Sequence, residues 1–159
     1  MLRRVRKTKK LKAYYKALKK EDKAIFRGKV SGKAIREEFM TQFFCHPRID
    51  VGAIEKNPPK PEWKVGKMTL QEHLNFRYIL ALEGNDVASN LKWVMSSNSI
   101  AVMPRPNYET WFMEGKLIPN YHYIEVKEDF SDLEEKLDYY SSHIVEAEAI
   151  IAHAHEWVQ

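Results

Sequence analysis

The residues between Leu82 and Trp93 combine a short polar turn with groups that could bind an anion. The turn is Glu83-Gly84-Asn85-Asp86, and the following positions of interest are Ala88, Ser89, Asn90 and Lys92. Small residues would leave the first N–H groups of a following helix exposed, and Lys92 adds a positive charge one turn further. Such a helix start can bind a diphosphate. A helix N-cap without a ligand explains the same residues, so this motif alone leaves two interpretations open.

A second candidate is Arg27-Gly28, followed closely by Ser31-Gly32. Glycine allows the backbone to approach a phosphate closely, and arginine presents two N–H donors to phosphate oxygens. Without further context, RGKVSG is also an ordinary glycine-containing turn at the end of a strand.

A third candidate is Glu109. An ionised carboxylate has only acceptor sites, so it could accept both vicinal hydroxyls of a ribose beside a nucleotide crevice. Equally, Glu109 could cap a turn that contains Trp111 and Phe112.

The elements around these residues predict where they would lie. Arg77–Pro104 contains a strand, the polar turn, a helix and another strand, which is a βαβ unit. Open α/β sheets bind ligands beyond the carboxyl ends of their strands, where this turn would be. Further strands are predicted at Lys23–Lys29, Arg48–Ile54 and Tyr121–Val126. The fold class is therefore α/β, a Rossmann-like, doubly wound and mostly parallel sheet.

The remaining segments predict helices and loops with recognisable boundaries. Helices are expected at Lys33–Phe44 and Ile144–Val158. A third helix should follow a capping box formed by Thr69 and Glu72, with Leu70 and Leu74 facing inward. A fourth should follow a capping box formed by Ser131 and Glu134, with Leu133, Leu137 and Tyr140 buried. One helical turn is expected at Tyr108–Phe112. The proline-rich stretch Glu55–Lys67 predicts a surface loop without regular structure.

Charge divides the chain into two parts. Residues 1–20 contain ten of the 26 basic residues and no acid, so the remainder carries 16 basic against 22 acidic residues. Apolar residues recur at helical spacing in the basic part, which predicts a basic helical linker over residues 1–22 and one domain over residues 23–159. Such a helix could instead bind nucleic acid or an anionic membrane surface.

Targeting and metal patterns are sparse. The chain has no apolar run of membrane-spanning length and one cysteine, Cys45, which favours a cytoplasmic location, with peripheral contact to the inner membrane through residues 1–20 as a further expectation. His153 and His155 are two positions apart and would point to different faces of a helix. No metal site is predicted.

The amino-acid sequences of three segments resemble glycosyltransferase family 90. This family comprises the lipopolysaccharide-modifying and capsule-associated transferases with their protein O-glucosyl and O-xylosyl relatives. These segments are IFRGKVSG at Ile25–Gly32, Arg77–Pro104, and Tyr108–Leu137. The resemblance implies the C-terminal, donor-binding half of a two-domain GT-B enzyme that moves a sugar from a UDP-sugar to a lipopolysaccharide or similar glycan. It implies a reaction without metal or other cofactor, and a general base in the other half.

The resemblance also implies functions for particular residues. The Arg of the FRG motif, here Arg27, would contact the diphosphate of the UDP-sugar, and an acid lies at the position of Glu109. This chain departs from the family pattern at Glu83, where Asp is more usual, and at Asn90, where many members carry Arg. Affinity for the diphosphate would then depend more on Arg27, Lys92 and main-chain donors. The alternative function is a truncated, non-catalytic domain or a basic-helix module; the enzyme interpretation expects no nucleic-acid partner.

Overall fold

The computed structural model describes residues 20–159. The expected basic helix therefore lies outside the described residues, apart from Lys20. The first strand begins at Glu21, two residues before the domain boundary that the sequence predicts.

The centre of the fold is a five-stranded sheet in which all neighbouring strands are parallel. The strands are β1 (Glu21–Gly28), β2 (Ile49–Ala53), β3 (Phe76–Leu80), β4 (Ile100–Met103) and β5 (Ile124–Glu125). Their order is β2-β1-β3-β4-β5. After β1 the chain moves to one side of that strand, and after β2 it returns to the other side. This arrangement confirms the doubly wound α/β class.

Helices pack on both faces of the sheet. They are α1 (Ala34–Phe43), α2 (Leu70–His73), α3 (Leu91–Met95), α4 (Leu133–Ser142) and α5 (Ile144–Val158). Successive residues of a strand point to opposite faces. Accordingly, Ala24 and Phe26 of β1 belong to one core cluster with α1 and α4, and Ile25 belongs to a second cluster with α3. Both faces of β1 are thus buried, which explains its apolar AIF sequence.

The Thr69–Glu72 capping box is confirmed. The Glu72 N–H donates to the Thr69 hydroxyl at 3.2 Å, and the Thr69 N–H donates to the Glu72 carboxylate at 2.6 Å. Leu74 is buried as predicted, but Leu70 is 49% exposed and the prediction that it faces inward is wrong. The helix is only four residues long, so it turns one apolar side chain to the core and leaves the other in solvent.

The helical turn predicted at Tyr108–Phe112 is wrong. The N–H groups of Asn107 and Tyr108 donate to the Glu83 carboxylate at 2.9 and 3.2 Å instead of to helical partners, and only a turn forms at Trp111 and Phe112. A 3₁₀ turn forms later, at Glu114–Lys116, after Met113 adopts a left-handed conformation with φ 57°.

The strand predicted at Tyr121–Val126 is reduced to two residues. Tyr121 and His122 form a turn, in which both N–H groups donate to the Ile118 carbonyl at 3.2 and 3.0 Å. Asn120, the residue before the predicted strand, has a φ of 56°, in the left-handed region, so the chain enters this segment through a turn. The alternation of aromatic residues therefore reflects a turn with Tyr121 exposed and His122 buried, followed by a short strand.

The Ser131–Glu134 capping box is also absent. Asp132 is the N-cap of α4, and its carboxylate accepts from the Lys127 N–H at 2.8 Å. The Ser131 N–H donates to Asp129 at 3.0 Å. The stripe that the sequence predicts for this helix is nevertheless confirmed, because Leu133, Leu137 and Tyr140 are buried.

The proline-rich segment Glu55–Lys67 is more ordered than predicted. It contains a 3₁₀ turn at Pro61–Trp63, and Trp63 is buried. Proline fits the first position of such a turn, where its missing N–H costs nothing. The segment then returns to the sheet, where the Val65 N–H donates to the Ala53 carbonyl at 2.9 Å. None of the helices within residues 20–159 is both long and apolar enough to cross a membrane.

Leu74 and Leu70 provide a matched test of this packing. Leu74→Ala should lower the free energy of unfolding by about 2–5 kcal/mol, because it leaves a cavity in the core. Leu70→Ala should change it by less than about 0.5 kcal/mol, because half of that side chain is already in water. Urea denaturation of both variants measures the difference, and equal effects would contradict the observed orientation of this helix.

Candidate functional site

The strand order places a crevice between the carboxyl ends of β1 and β3. The connections that leave these two strands run in opposite directions, so they separate at this point of the sheet. The loop after β1 contains residues 29–33, and the loop after β3 contains residues 81–90. Two of the three motifs from the sequence are thereby brought to one edge.

Arg36 of α1 joins these two loops. Its Nη1 donates to the Lys29 carbonyl at 2.8 Å, and its Nη2 donates to the Leu82 carbonyl at 2.7 Å. Its Nε donates to the Glu83 carbonyl at 3.3 Å. Burial lowers the pKa of Arg36, and the nearby charge of Glu55 partly offsets this effect. Arginine still stays charged in proteins, so a fixed positive charge lies at the back of the crevice.

Gly84 lies directly against two basic side chains, Lys33 just before α1 and Arg36 within it. A Cβ atom at this position would be 2.9 Å from Cδ and Cε of Lys33 and 3.4 Å from Cζ of Arg36. Any other residue would have to displace the Lys33 side chain. The glycine in the turn is thus explained by close approach of two cationic side chains, not by an unusual backbone angle.

The loop after β1 is held by carboxylates of the chain itself. Glu55 accepts from the N–H groups of Val30 and Ser31 at 3.0 and 2.7 Å, and from the Ser31 hydroxyl at 2.6 Å. Glu37 accepts from the Gly32 N–H at 2.8 Å. Gly32 has a φ of +71°, which suits glycine. The donors of this loop are therefore held by carboxylate oxygens of the chain itself.

The pKa of Glu55 reflects these contacts. Partial burial raises the pKa of the carboxyl group, but the hydrogen bonds from Ser31 and Val30 together lower it by more than burial raises it. The pKa therefore lies below its usual value. The carboxylate is consequently ionised at neutral pH.

Arg27 does not extend into the crevice. Its Nη2 donates to Asp50 of β2 at 2.8 Å, and its Nη1 donates to the Phe26 carbonyl at 3.0 Å. The side chain is only 11% exposed. Its buried Nε–H has no hydrogen-bond acceptor among the described residues. Arg27 thus forms an ion pair with the neighbouring strand β2.

Within the loop after β3, several residues support the structure of the loop. Glu83 holds Asn107 and Tyr108 of the connection after β4, as described above. Asp86 accepts from the Val87 N–H at 2.7 Å, and the Asn90 side-chain amide donates to the Leu80 carbonyl at 3.0 Å. Ala88 is buried and Ser89 is exposed. Because α3 begins only at Leu91, residues 88–90 form a turn and not the predicted helix start.

Lys92 lies in α3, and Glu109 lies on the connection between β4 and β5. The ammonium of Lys92 is 4.6 Å from the centre of the Trp111 ring and 5.7 Å from that of Phe112. Glu109 is exposed, and its carboxylate lies so close to Gly115 that a Cβ there would be 2.5 Å away. Lys92 therefore contacts aromatic residues of that connection, and the Glu109 carboxylate packs against Gly115.

Sequence reasoning did not identify Lys33, Arg36, Glu55 and Glu114 as part of this region. Lys33 and Arg36 are three positions apart at the start of a helix, a spacing that places them on one face. Glu55 follows β2, whose carboxyl end is next to that of β1. Glu114 is a buried carboxylate that accepts from the N–H and hydroxyl of Thr110 at 2.7 and 2.8 Å. Only the helical spacing was visible in the sequence.

The histidines pointed out in the sequence have separate contacts. His153 stacks on Tyr121 with ring centres 3.6 Å apart, and His155 is buried with its Nε2 2.7 Å from the Ser97 carbonyl. Within residues 20–159, no three His, Cys, Asp or Glu side chains are grouped in a way that could hold a metal ion.

This fold is shared with a known class of enzyme domain. The solved C-terminal domain of a glycosyl transferase group 1 family protein (LpcC) from Francisella tularensis has a TM-score of 0.56 with this chain and 13% sequence identity. The match covers 85% of this chain and 82% of that domain. The α/β, doubly wound architecture expected for the C-terminal half of a GT-B glycosyltransferase is therefore confirmed.

Sequence comparison defines the family. The model of glycosyl transferase family 90 matches residues 1–159, so the chain belongs to that family. O-glucosyltransferase LpsA from Dichelobacter nodosus is 42% identical over 139 residues, which are 87% of this chain and 43% of that protein. An uncharacterised protein, 179R, from invertebrate iridescent virus 6 is 33% identical over 93 residues, 54% of this chain and 7% of that protein. The chain thus spans less than half the length of these relatives.

The contacts of Arg36 predict a local effect of its replacement. Arg36→Lys should lower the free energy of unfolding by about 1–3 kcal/mol, because the compact ammonium cannot reach all three carbonyl oxygens. Amide hydrogen exchange in residues 29–33 and 82–86 should become faster. Arg48 offers a matched control at the opposite edge, where it pairs with Asp22 and Asp138. Arg48→Lys should leave exchange in the two loops unchanged; faster exchange there in both variants would contradict a local action of Arg36.

Glu114 predicts a pH-dependent contribution to stability. Burial raises the pKa of Glu114, but hydrogen bonds from Thr110 and the charge of Lys92 together lower it by more than burial raises it. The pKa in the folded protein therefore lies below its usual value. Its stabilising effect is therefore complete above the unfolded pKa of about 4.3 and is lost as the pH falls through the lower folded value. Glu114→Gln should be less stable than wild type at pH 7, with a difference that shrinks in acid.

Thermal denaturation from pH 7 to pH 3 measures that difference. Glu148→Gln removes an exposed carboxylate of α5 and should remain parallel to wild type. If the stability difference between Glu114→Gln and wild type does not change with pH, Glu114 stabilises the fold through its packing and not through its charge.

Proposed function

We propose that this chain is the nucleotide-sugar-binding half of a glycosyltransferase that transfers a hexose or pentose from a UDP-sugar to a lipopolysaccharide or related glycan. Membership of glycosyl transferase family 90 supports glycosyl transfer. The name of its relative, O-glucosyltransferase LpsA, supports a hexose and a lipopolysaccharide-related acceptor. Because the chain spans 43% of that relative, the complete reaction is proposed only for the family-length protein.

The observation that carries this proposal is the approach of Lys33 and Arg36 to Gly84 at the point where the connections of β1 and β3 separate. Arg36 is fully engaged with backbone carbonyls, so its charge acts over a short distance. Lys33 lies along the glycine, on the path that a ligand in the crevice would follow. Two cations beside a glycine suit a diphosphate, which needs both neutralisation and close backbone approach.

Charge stabilisation by these groups is the chemical contribution that we propose for this half. As the bond between the sugar and the nucleotide breaks, negative charge develops on the diphosphate. Cations that are already in position stabilise this charge without reorganisation. Lys33 would contact the diphosphate directly, and Arg27 would turn from Asp50 toward it, since its buried Nε–H lacks an acceptor among the described residues.

The proposal assigns supporting functions to the other predicted residues. Phosphate oxygens would take the place of the Glu55 and Glu37 carboxylates on the N–H groups of the loop that carries Gly28 and Ser31. Glu83, Asp86 and Asn90 would keep the opposite loop in shape. Glu109, exposed on the β4 side, would accept the ribose hydroxyls. The general base would come from the part of a family-length protein that this chain does not span.

Calorimetric titration of UDP and UDP-glucose tests the nucleotide site. Lys33→Gln should weaken UDP binding about tenfold, the equivalent of one charge-assisted hydrogen bond. Arg27→Ala should weaken it to a similar extent. Lys23→Gln is the matched control, because Lys23 lies at the amino end of β1 and pairs with Glu21. The titrations are repeated with EDTA, which should have no effect if binding needs no metal.

Two results would contradict the proposal. One is wild-type protein that does not bind UDP at millimolar concentration while it remains folded by circular dichroism. The other is equal affinity in wild type, Lys33→Gln and Arg27→Ala, which would locate any nucleotide away from the end of β1.

A further inference from the structure

Trp111 is the most exposed aromatic side chain among the described residues. Its side chain is 79% exposed, whereas Trp63 is 3% exposed. A large indole surface in water is unfavourable, so such exposure often marks a binding surface. Trp111 lies on the connection that leaves the carboxyl end of β4, the same edge of the sheet as the crevice.

The exposure of Trp111 does not result from a loosely held loop. Glu83 holds the start of the connection at Asn107, and Glu114 holds Thr110, the residue before Trp111, at 2.7 Å. On the other side, the indole N–H of Trp157 donates to the Phe112 carbonyl at 3.3 Å. The residues on both sides of Trp111 are therefore anchored while its own ring stays in solvent.

Neighbouring groups leave part of the ring open. The ammonium of Lys92 lies over it at 4.6 Å, and the Phe112 ring meets it edge-on at 5.9 Å and 84°. Neither contact covers more than a small part of a side chain that is 79% exposed. The result is an indole ring with a hydrogen-bonding cation over part of it and most of its surface open to solvent.

We propose that Trp111 is a stacking platform for a pyranose ring, with Lys92 donating a hydrogen bond to a ring hydroxyl. The C–H face of a pyranose is flat and weakly positive, so it is attracted to the electron-rich face of an indole. The choice of a sugar rests on the proposed function. The ring could come from the acceptor glycan or from the UDP-sugar, and both present the same C–H face.

Nuclear magnetic resonance of the four tryptophan indole N–H groups tests this proposal. The Trp111 resonance is assigned by its disappearance in Trp111→Phe. Methyl β-glucoside, maltose, UDP-glucose and UDP are then added separately to the full chain. A shift of the Trp111 resonance with a free saccharide indicates an acceptor ring, and a shift with UDP-glucose but not UDP indicates the ring of the UDP-sugar; either supports the platform. The buried Trp63 resonance should not move.

Variants complete the test. Trp111→Ala should weaken the affinity for the active sugar, followed at the Trp157 resonance, by about tenfold. Ile118→Ala should change it less than twofold, since Ile118 is 53% exposed on the same connection. The proposal is overturned if no sugar shifts the Trp111 resonance, or if UDP alone shifts it as much as UDP-glucose. If a free saccharide shifts the Trp111 resonance and UDP does not bind, the stacking proposal is supported and only the proposed nucleotide site is contradicted.

Discussion

The guanidinium of Arg36 is the interaction on which the geometry of the crevice depends. Backbone carbonyls that extend beyond the end of a parallel sheet have lost their neighbouring strand and need other donors. Arg36 supplies such donors to Lys29, Leu82 and Glu83, which belong to two loops that diverge from each other. One planar side chain thus sets the distance between the loops and leaves a cation behind Gly84.

A second layer of contacts uses negative charge. Glu55 and Glu37 satisfy the N–H groups of the loop after β1, and Glu83 satisfies those of the connection after β4. The loops after β1 and β4 are therefore each held by carboxylates from other parts of the chain. Arg36 and these carboxylates shape the crevice. A largely different set of charged side chains lies beside it without holding the loops in place, and Lys33 is the clearest example.

Much of the fold could be predicted from the sequence, because its evidence is local. The apolar runs of β1, β3 and β4 are buried on both faces, and Thr69 with Glu72 shows its helix start within four residues. Errors occurred where a distant partner decides the conformation. Nothing near Tyr108 reveals that Glu83, 25 positions earlier, will accept its N–H. The absent Ser131–Glu134 capping box is a local exception, because the neighbouring Asp132 is the N-cap residue of α4.

The positions of the two candidate loops were predictable to a similar degree. The two glycine-containing loops meet as the βαβ pattern requires, since parallel strands bring their carboxyl ends to one edge. The partners of Arg27 and Lys92 were not predictable. Asp50 and Trp111 are 23 and 19 positions away from them, and only the register of β1 on β2 and the path after β4 bring them together.

The two borders of the sheet have a consequence for behaviour in a crowded solution. An unpaired strand edge invites pairing with another chain. Here β5 is two residues long, too short to serve as a template. On the other border, residues 64 and 65 return alongside β2, where the Val65 side chain fills the space over Gly52 and its N–H takes the Ala53 carbonyl. The proline-rich segment thus covers the edge of β2, and it protects the parallel sheet against growth into fibrils.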